Sequence, residues 1–170
     1  MNGIHVIVQA RLSSKRLPNK VLKKIYKNNN SLTLIHSRLK KSKIIDKIIF
    51  AIPKNSKNLK LKKFLIKKKY DYYEGPEKDV FMRYKLTSDY FKSKIIVRIT
   101  SDCPFVDNKI IDKMINILSK NKYDYVSNTY PASFPDGLDV EVFTKKSFDK
   151  VLTVNLNAYQ KEHVTSIFKQ

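Results

Sequence analysis

Ile4-His5-Val6-Ile7-Val8-Gln9-Ala10-Arg11-Leu12-Ser13-Ser14-Lys15-Arg16-Leu17-Pro18-Asn19-Lys20 opens on an apolar run and passes at once into a basic, hydroxyl-bearing stretch. The run Ile4–Val8 is β-branched and nearly continuous, the pattern of a strand covered on both faces in a parallel sheet. Ile48–Ile52 and Ile95–Ile99 repeat it. Helical patterns lie between these runs. Ser31 is placed to cap a helix running to about Ser42, and Asn58–Lys68 carries a broad apolar face. Lys78–Phe91 is a third helix, and Lys109–Leu118 sets Ile110, Ile111, Met114, Ile115 and Leu118 on one stripe of helical period. Asp71–Glu74 and Tyr123–Ser127 read as shorter strands. The alternation predicts an open α/β domain with a mostly parallel sheet. Past Asn128 the order changes: Thr129–Asp136 reads as a loop. Leu138–Phe143 alternates apolar and acidic residues, which predicts a strand with one buried and one carboxylate-bearing face.

The chain has 170 residues, enough for one domain with a sizeable core, and its 42% hydrophobic content argues against low-complexity disorder. No apolar run approaches the ~20 residues needed to span a bilayer. Ile4–Val8 is too short for a signal-peptide core and lacks a small-residue cleavage pattern. A lone cysteine, Cys103, cannot form an internal disulfide, so a cytoplasmic, reduced location is expected. The formal charge of +20 would attract phosphates of many kinds, nucleic acid included. The lysines, however, spread over every segment and mark a compositional bias more than a dedicated nucleic-acid surface. Against that bias the five arginines stand out, Arg11, Arg16, Arg38, Arg83 and Arg98, because a guanidinium grips phosphate or carboxylate with a planar fork that lysine lacks.

In open α/β sheets ligands bind beyond the carboxyl ends of the strands, and the polar clusters of this chain sit at such places. After the first strand, Arg11, Lys15, Arg16 and Lys20 with Ser13 and Ser14 form a loop able to surround a triphosphate, or else a solvated basic loop. It is not a P-loop, since the GxxxxGK[ST] spacing is absent. After the third long strand come Arg98, Thr100, Ser101, Asp102, Cys103, Pro104 and Asp107. Asp102 is either a Mg²⁺ ligand working with substrate phosphates or a turn residue. Asp107 reads as a helix N-cap, and Cys103 as a small packing residue with no histidine to activate it. Glu74-Gly75-Pro76-Glu77-Lys78-Asp79 leads into the helix that carries Arg83. Asp139 and Glu141 project from one face of the predicted late strand, where they would bind substrate hydroxyls or metal, or simply meet solvent. Glu162-His163-Val164-Thr165 closes the set.

Together these clusters resemble the cytidylyltransferases that make CMP-activated sugar acids, in particular the spore coat polysaccharide branch related to CMP-Kdo synthetase. The pattern A-R-x-x-S-x-R-L-P-x-K-x-L is present from Ala10 to Leu22, and R-x-T-x-D-x-P from Arg98 to Pro104. The resemblance implies a Rossmann-like three-layer α/β/α nucleotidyltransferase domain over residues 1–170, binding CTP across the strand ends. It implies nucleotide contacts from Ala10, Arg11, Ser14, Arg16, Lys20, Glu74, Gly75, Asp79, Arg98 and Ser101. Arg11, Lys20 and Asp102 would be catalytic, and Asp102 would hold Mg²⁺. Tyr130, Asp136, Asp139 and Glu141 would face a small sugar acceptor. A homodimer is implied on the same ground. Two departures stand out. Asn19 replaces a glycine common in the first motif, at a place where asparagine tolerates left-handed backbone. Family members also continue well past E-H-V-T, with a part that supplies another acidic metal ligand, dimer contacts and sheet edge. The resemblance therefore implies either an active enzyme or a catalytically weak or partner-dependent CTP-binding protein.

Overall fold

The computed structural model describes residues 3–14, 17–151 and 155–169. Strand β1 spans Ile4–Gln9. A small antiparallel pair follows, β2 Lys24–Tyr26 and β3 Asn29–Asn30, and then α1 Ser31–Leu39. Next come β4 Lys47–Pro53, α2 Leu59–Lys68, β5 Asp71–Gly75, α3 Val80–Tyr90, β6 Ile95–Thr100 and α4 Asn108–Asn121. The chain continues through β7 Tyr125–Ser127, β8 Glu141–Thr144, α5 Lys145–Lys150 and α6 Ala158–Glu162. The main sheet has the order β5-β4-β1-β6-β8-β7. Its first four strands are parallel, while β8 runs antiparallel to β6 and β7 antiparallel to β8.

Alternation within the buried strands divides the core in two. Val6 and Val8 of β1, Phe50 and Ile52 of β4, and Val97 and Ile99 of β6 pack against Leu32 and Ile35 of α1, Leu61 and Leu65 of α2, and the stripe of α4. Ile7, Ala51 and Ile96 face the other way, onto Val80, Phe81 and Tyr84 of α3 and Phe148 of α5. Helices therefore cover both faces, the three-layer arrangement expected. On α4, Ile111, Met114, Ile115 and Leu118 are all buried, and each contributes roughly 1.5–3 kcal/mol by leaving water. At the centre of the second core the Tyr84 hydroxyl donates to the Ile7 carbonyl at 3.0 Å. Burial pushes that phenol well above its ordinary range.

Asp79 caps α3 and Asp107 caps α4, the latter as expected. At α1 the cap is Asn30, not Ser31: Asn30 and Thr33 form a reciprocal capping box. The Ser31 hydroxyl instead donates to the Ser101 carbonyl, tying α1 to the turn after β6. The predicted strand Leu138–Phe143 is also corrected, for only Glu141–Thr144 is strand. The Asn128 side chain takes the Leu138 carbonyl and the Val140 amide, both at 2.8 Å, so a side chain stands where a strand partner would pair. Among the described residues, no helix is long and apolar enough to cross a membrane.

The register positions the site. Gln9 at the end of β1 is level with Ala51 on β4 and Thr100 on β6. The loops that follow these strands therefore leave the sheet along one edge.

Candidate active site

A cavity of about 500 Å³ opens at that edge. The segment after β1 contributes Ala10, Arg11, Ser13, Ser14 and Lys20, and the turn after β6 contributes Thr100, Ser101 and Asp102. Gln9, Val80 and Arg83 of α3, and Glu162 of α6 complete the walls. Ala10 is itself buried and anchors the loop to β4 through its amide, 3.2 Å from the Ala51 carbonyl. Asn19 adopts φ 58°, the left-handed backbone that the missing glycine would otherwise supply. The Asn19 amide donates to the Leu12 carbonyl at 3.2 Å, which folds the loop back on itself.

Charges in this cavity are partly matched. Lys20 Nζ donates to Asp102 Oδ2 at 2.9 Å. Partial burial would raise the Asp102 carboxyl, but hydrogen bonds from Thr100 and Lys20 outweigh it and hold the group below the usual carboxylate range. Arg11 Nη2 lies 3.6 Å from Glu162 Oε1, with both side chains about half exposed. Arg83 is buried, and its Nη1 donates to the Pro76 and Glu77 carbonyls. Burial lowers this guanidinium to about 10. It passes directly under Gly75, where an added Cβ would stand 2.9 Å from Arg83 Cγ. Gln9 Oε1 and Arg83 Nε, an acceptor and a donor, are buried here without a hydrogen-bond partner among the described residues.

A second cavity of about 230 Å³ adjoins Thr100 and is lined by Arg98, Thr129, Asp139, Glu141, Tyr159, His163, Thr165 and Lys169 among others. Glu141 is its hub. The carboxylate accepts from Arg98 Nη1, from the Tyr125 hydroxyl at 2.7 Å and from Thr165 Oγ1 at 2.7 Å, with Lys169 Nζ at 3.2 Å. Burial opposes its charge, yet Arg98 and these donors keep Glu141 below its ordinary value. Asp139 lacks such support: burial and the nearby Asp136 and Glu141 carboxylates push it up.

The structure thus gathers Ala10, Arg11, Ser14, Lys20, Ser101 and Asp102 around the first cavity, and Arg98, Asp139 and Glu141 around the second. Among the described residues, Glu74, Gly75, Asp79, Tyr130 and Asp136 line neither cavity. Glu74 pairs with Lys62 of α2 at 2.6 Å. Asp79 spends its carboxylate on the Met82 amide at 2.7 Å. Tyr130 is exposed beside the cis peptide bond to Pro131, and Asp136 is exposed in the same loop. Arg16 lies outside the described residues. Cys103 is a buried free thiol raised by burial, a packing residue as expected. Sequence reasoning passed over Asn55 and Asn58, whose side chains reach the cavity loops. The only local signal was an N-cap pattern, Asn55 three residues ahead of Asn58.

A mostly parallel α/β sheet with helices on both faces and a basic, carboxylate-bearing cavity at its strand ends defines a Rossmann-like nucleotidyltransferase fold. The chain belongs to the cytidylyltransferase family, whose profile matches residues 5–170. It is 38% identical over 159 residues to an uncharacterized protein of Methanocaldococcus jannaschii, covering 94% of this chain and 64% of that protein. It is 32% identical over 169 residues to the spore coat polysaccharide biosynthesis protein SpsF of Bacillus subtilis, covering 97% of this chain and 69% of SpsF. The chain therefore spans about two thirds of the length of these relatives. Among solved structures, a cytidylyltransferase from Leptospira borgpetersenii superposes with a TM-score of 0.89 at 27% identity, over 96% of this chain and 70% of that one. A CMP:2-keto-3-deoxy-manno-octonic acid synthetase complexed with CTP gives a TM-score of 0.70 at 10% identity, over 95% of this chain and 83% of that one, a likeness of fold.

Proposed function

We propose that this chain transfers CMP from CTP to a hydroxyl of a sugar acid or related sugar, releasing pyrophosphate, in the synthesis of a surface polysaccharide or glycan. The convergence of Arg11, Ser14, Lys20 and Asp102 on one cavity at the strand ends carries the proposal. Arg11 and Lys20 would hold the phosphates with charge-assisted hydrogen bonds, and Ser14 would add a hydroxyl donor. The acceptor oxygen would attack the α-phosphorus as its bond to the bridging oxygen breaks, with pyrophosphate leaving. Such a reaction asks the protein for positioning and charge neutralisation and needs no protein nucleophile. The turn at 75–77 would border the base through its backbone, since Glu74 and Asp79 are engaged elsewhere. The second cavity, next to the first at Thr100, is the proposed acceptor pocket, with Asp139 as the carboxylate free to meet sugar hydroxyls.

Mg²⁺ belongs to this proposal through Asp102. Among the described residues no group of three or more His, Cys, Asp or Glu side chains is arranged around a metal. An ionised, half-exposed Asp102 fits the one-carboxylate manner in which Mg²⁺ is held jointly with substrate phosphates. Bound there, the ion would neutralise phosphate charge. We place this work in the cytoplasm, a reducing compartment that suits the free thiol of Cys103. The homodimer suggested by the family resemblance is testable by sedimentation velocity. The main test is pyrophosphate release from CTP and Mg²⁺ with a panel of sugar acids and neutral sugars. Release with one acceptor class is the expected result; no release together with no CTP binding by calorimetry rejects the proposal.

A further inference from the structure

Among its described residues, the stretch that carries Arg11 and Ser14 forms no helix or strand, yet one chain of hydrogen bonds fixes its middle. The Leu12 amide donates to Asn58 Oδ1 at 2.9 Å. Asn58 Nδ2 donates to Asn55 Oδ1 at 2.7 Å, and Asn55 Nδ2 to Glu77 Oε2 at 2.9 Å. Ser13 Oγ then donates to Glu77 Oε1 at 3.0 Å. Leu12 and Ser13 are neighbours, so the circuit closes. It joins three loops, those after β1, β4 and β5. Each amide oxygen in it meets a donor and each amide nitrogen an acceptor, so the direction of donation is fixed all the way round. Asn58 is buried, as is Leu12, so an unmade Leu12 bond would leave an orphaned amide in the interior.

We propose that Asn55, Asn58 and Glu77 are positioning residues that lock the Leu12–Ser13 segment against the loops after β4 and β5 and thereby set the affinity of the first cavity for CTP. This rests on the proposed function above. The circuit acts through the loop and not on the ligand: Arg11 precedes the clamped pair and Ser14 follows it. A loop clamped between its phosphate contacts presents them without first being ordered, which is where preorganisation gains affinity.

The direction of donation supplies the test. Asn55→Asp keeps the cap acceptor for the Asn58 amide at 3.1 Å but removes the donor to Glu77 and sets two carboxylates together. Glu77→Gln can accept from Asn55 with its oxygen and donate to the Ser13 hydroxyl with its nitrogen, so it keeps the circuit. In the double variant the introduced amide nitrogen donates to the introduced carboxylate, and the introduced amide oxygen accepts from Ser13. The circuit then closes with the link between the two positions reversed.

CTP titration of the full chain, with melting temperature recorded for every variant, decides the matter. Asn55→Asp should weaken CTP binding by about tenfold, and Glu77→Gln by no more than about twofold. The Asn55→Asp, Glu77→Gln pair should return to within about threefold of the unaltered chain. If Asn55→Asp does not fold, Glu77→Ala against Glu77→Gln carries the test, with loss expected only for alanine. An unaltered chain that binds CTP while Asn55→Asp binds it equally well overturns the circuit alone. So does a double variant no better than Asn55→Asp, or a loss of affinity that merely follows a fall in melting temperature. Failure of the unaltered chain to bind CTP overturns the functional proposal itself.

Discussion

Lys20 and Asp102 lie 82 residues apart in sequence and meet through Nζ and Oδ2 at 2.9 Å in the first cavity. A cation proposed to grip phosphate is thus held by the carboxylate proposed to grip Mg²⁺. Phosphate and metal would each take one partner of this pair, so each should ease the entry of the other. Asp102→Asn is expected to bind CTP severalfold more tightly without Mg²⁺, because Lys20 is released. With Mg²⁺ its turnover should fall about a hundredfold or more, as when a fixed charge-stabilising group is removed. Calorimetry with and without Mg²⁺, beside pyrophosphate release, checks both halves. Unchanged turnover would remove Asp102 from the metal site.

Glu141 gives an acid-sensitive prediction. Burial alone would raise its carboxyl, but Arg98, Thr165, Tyr125 and Lys169 hold it below its ordinary value of 4.5. A depressed carboxylate contributes stability that is fully present above its unfolded pKa and is lost as pH falls through the folded one. Glu141→Gln leaves Arg98 without its charge partner and should cost about 3–5 kcal/mol near neutral pH. The gap to the unaltered chain should narrow as pH drops below about 4.5. Urea unfolding across that range measures it, and a gap independent of pH would count against an ionised Glu141.

Much of this was legible in the sequence, for reasons that also mark the limit. Ile4–Val8, Ile48–Ile52 and Ile95–Ile99 read as parallel strands because their β-branched, nearly continuous runs suit burial on both faces. With the strands fixed, the loops at their ends fell on one edge of the sheet, and Ala10, Arg11, Ser14, Lys20, Ser101 and Asp102 came together there. Asp139 and Glu141 both line the second cavity, but not as neighbours on one strand face, and the alternation of apolar and acidic residues hid their difference. Glu141 is the buried partner of Arg98, and Asp139 precedes the strand. Pattern cannot show where Asn128 will replace a strand partner. Nor can spacing join Asn55, Asn58 and Glu77, whose common purpose exists only once three separate loops meet.

Gly75 should tolerate no side chain. Its Cβ would stand 2.9 Å from Arg83 Cγ and 3.3 Å from Arg83 Cα, and Arg83 is buried and bound to the turn carbonyls. Neither neighbour is a free side-chain end, so the turn itself must move. Gly75→Ala is expected to cost about 1–3 kcal/mol, in the manner of an overpacked core. CTP affinity should fall as well, because the displaced turn holds Arg83, which lines the first cavity. Melting temperature and CTP titration follow the two effects. A variant equal to the unaltered chain in both would show that Arg83 gives way.

Glu162 tests whether the first cavity is restrained before ligand arrives. Its ion pair with Arg11 is long, at 3.6 Å, and both side chains are about half exposed. Such a pair adds little to stability, because solvent screens it and two long side chains must be ordered to form it. Glu162→Gln should therefore leave unfolding free energy within about 0.5 kcal/mol of the unaltered chain. Its effect on binding is a separate matter. The carboxylate would compete with the phosphates proposed for Arg11, so removing its charge should raise CTP affinity by about two- to threefold at low ionic strength. The advantage should fade as salt screens the competition it relieves. Titrations at low and physiological salt measure this directly. A loss of affinity on Glu162→Gln would reverse the assignment, since it would mean that the carboxylate itself accepts a hydrogen bond from the bound nucleotide.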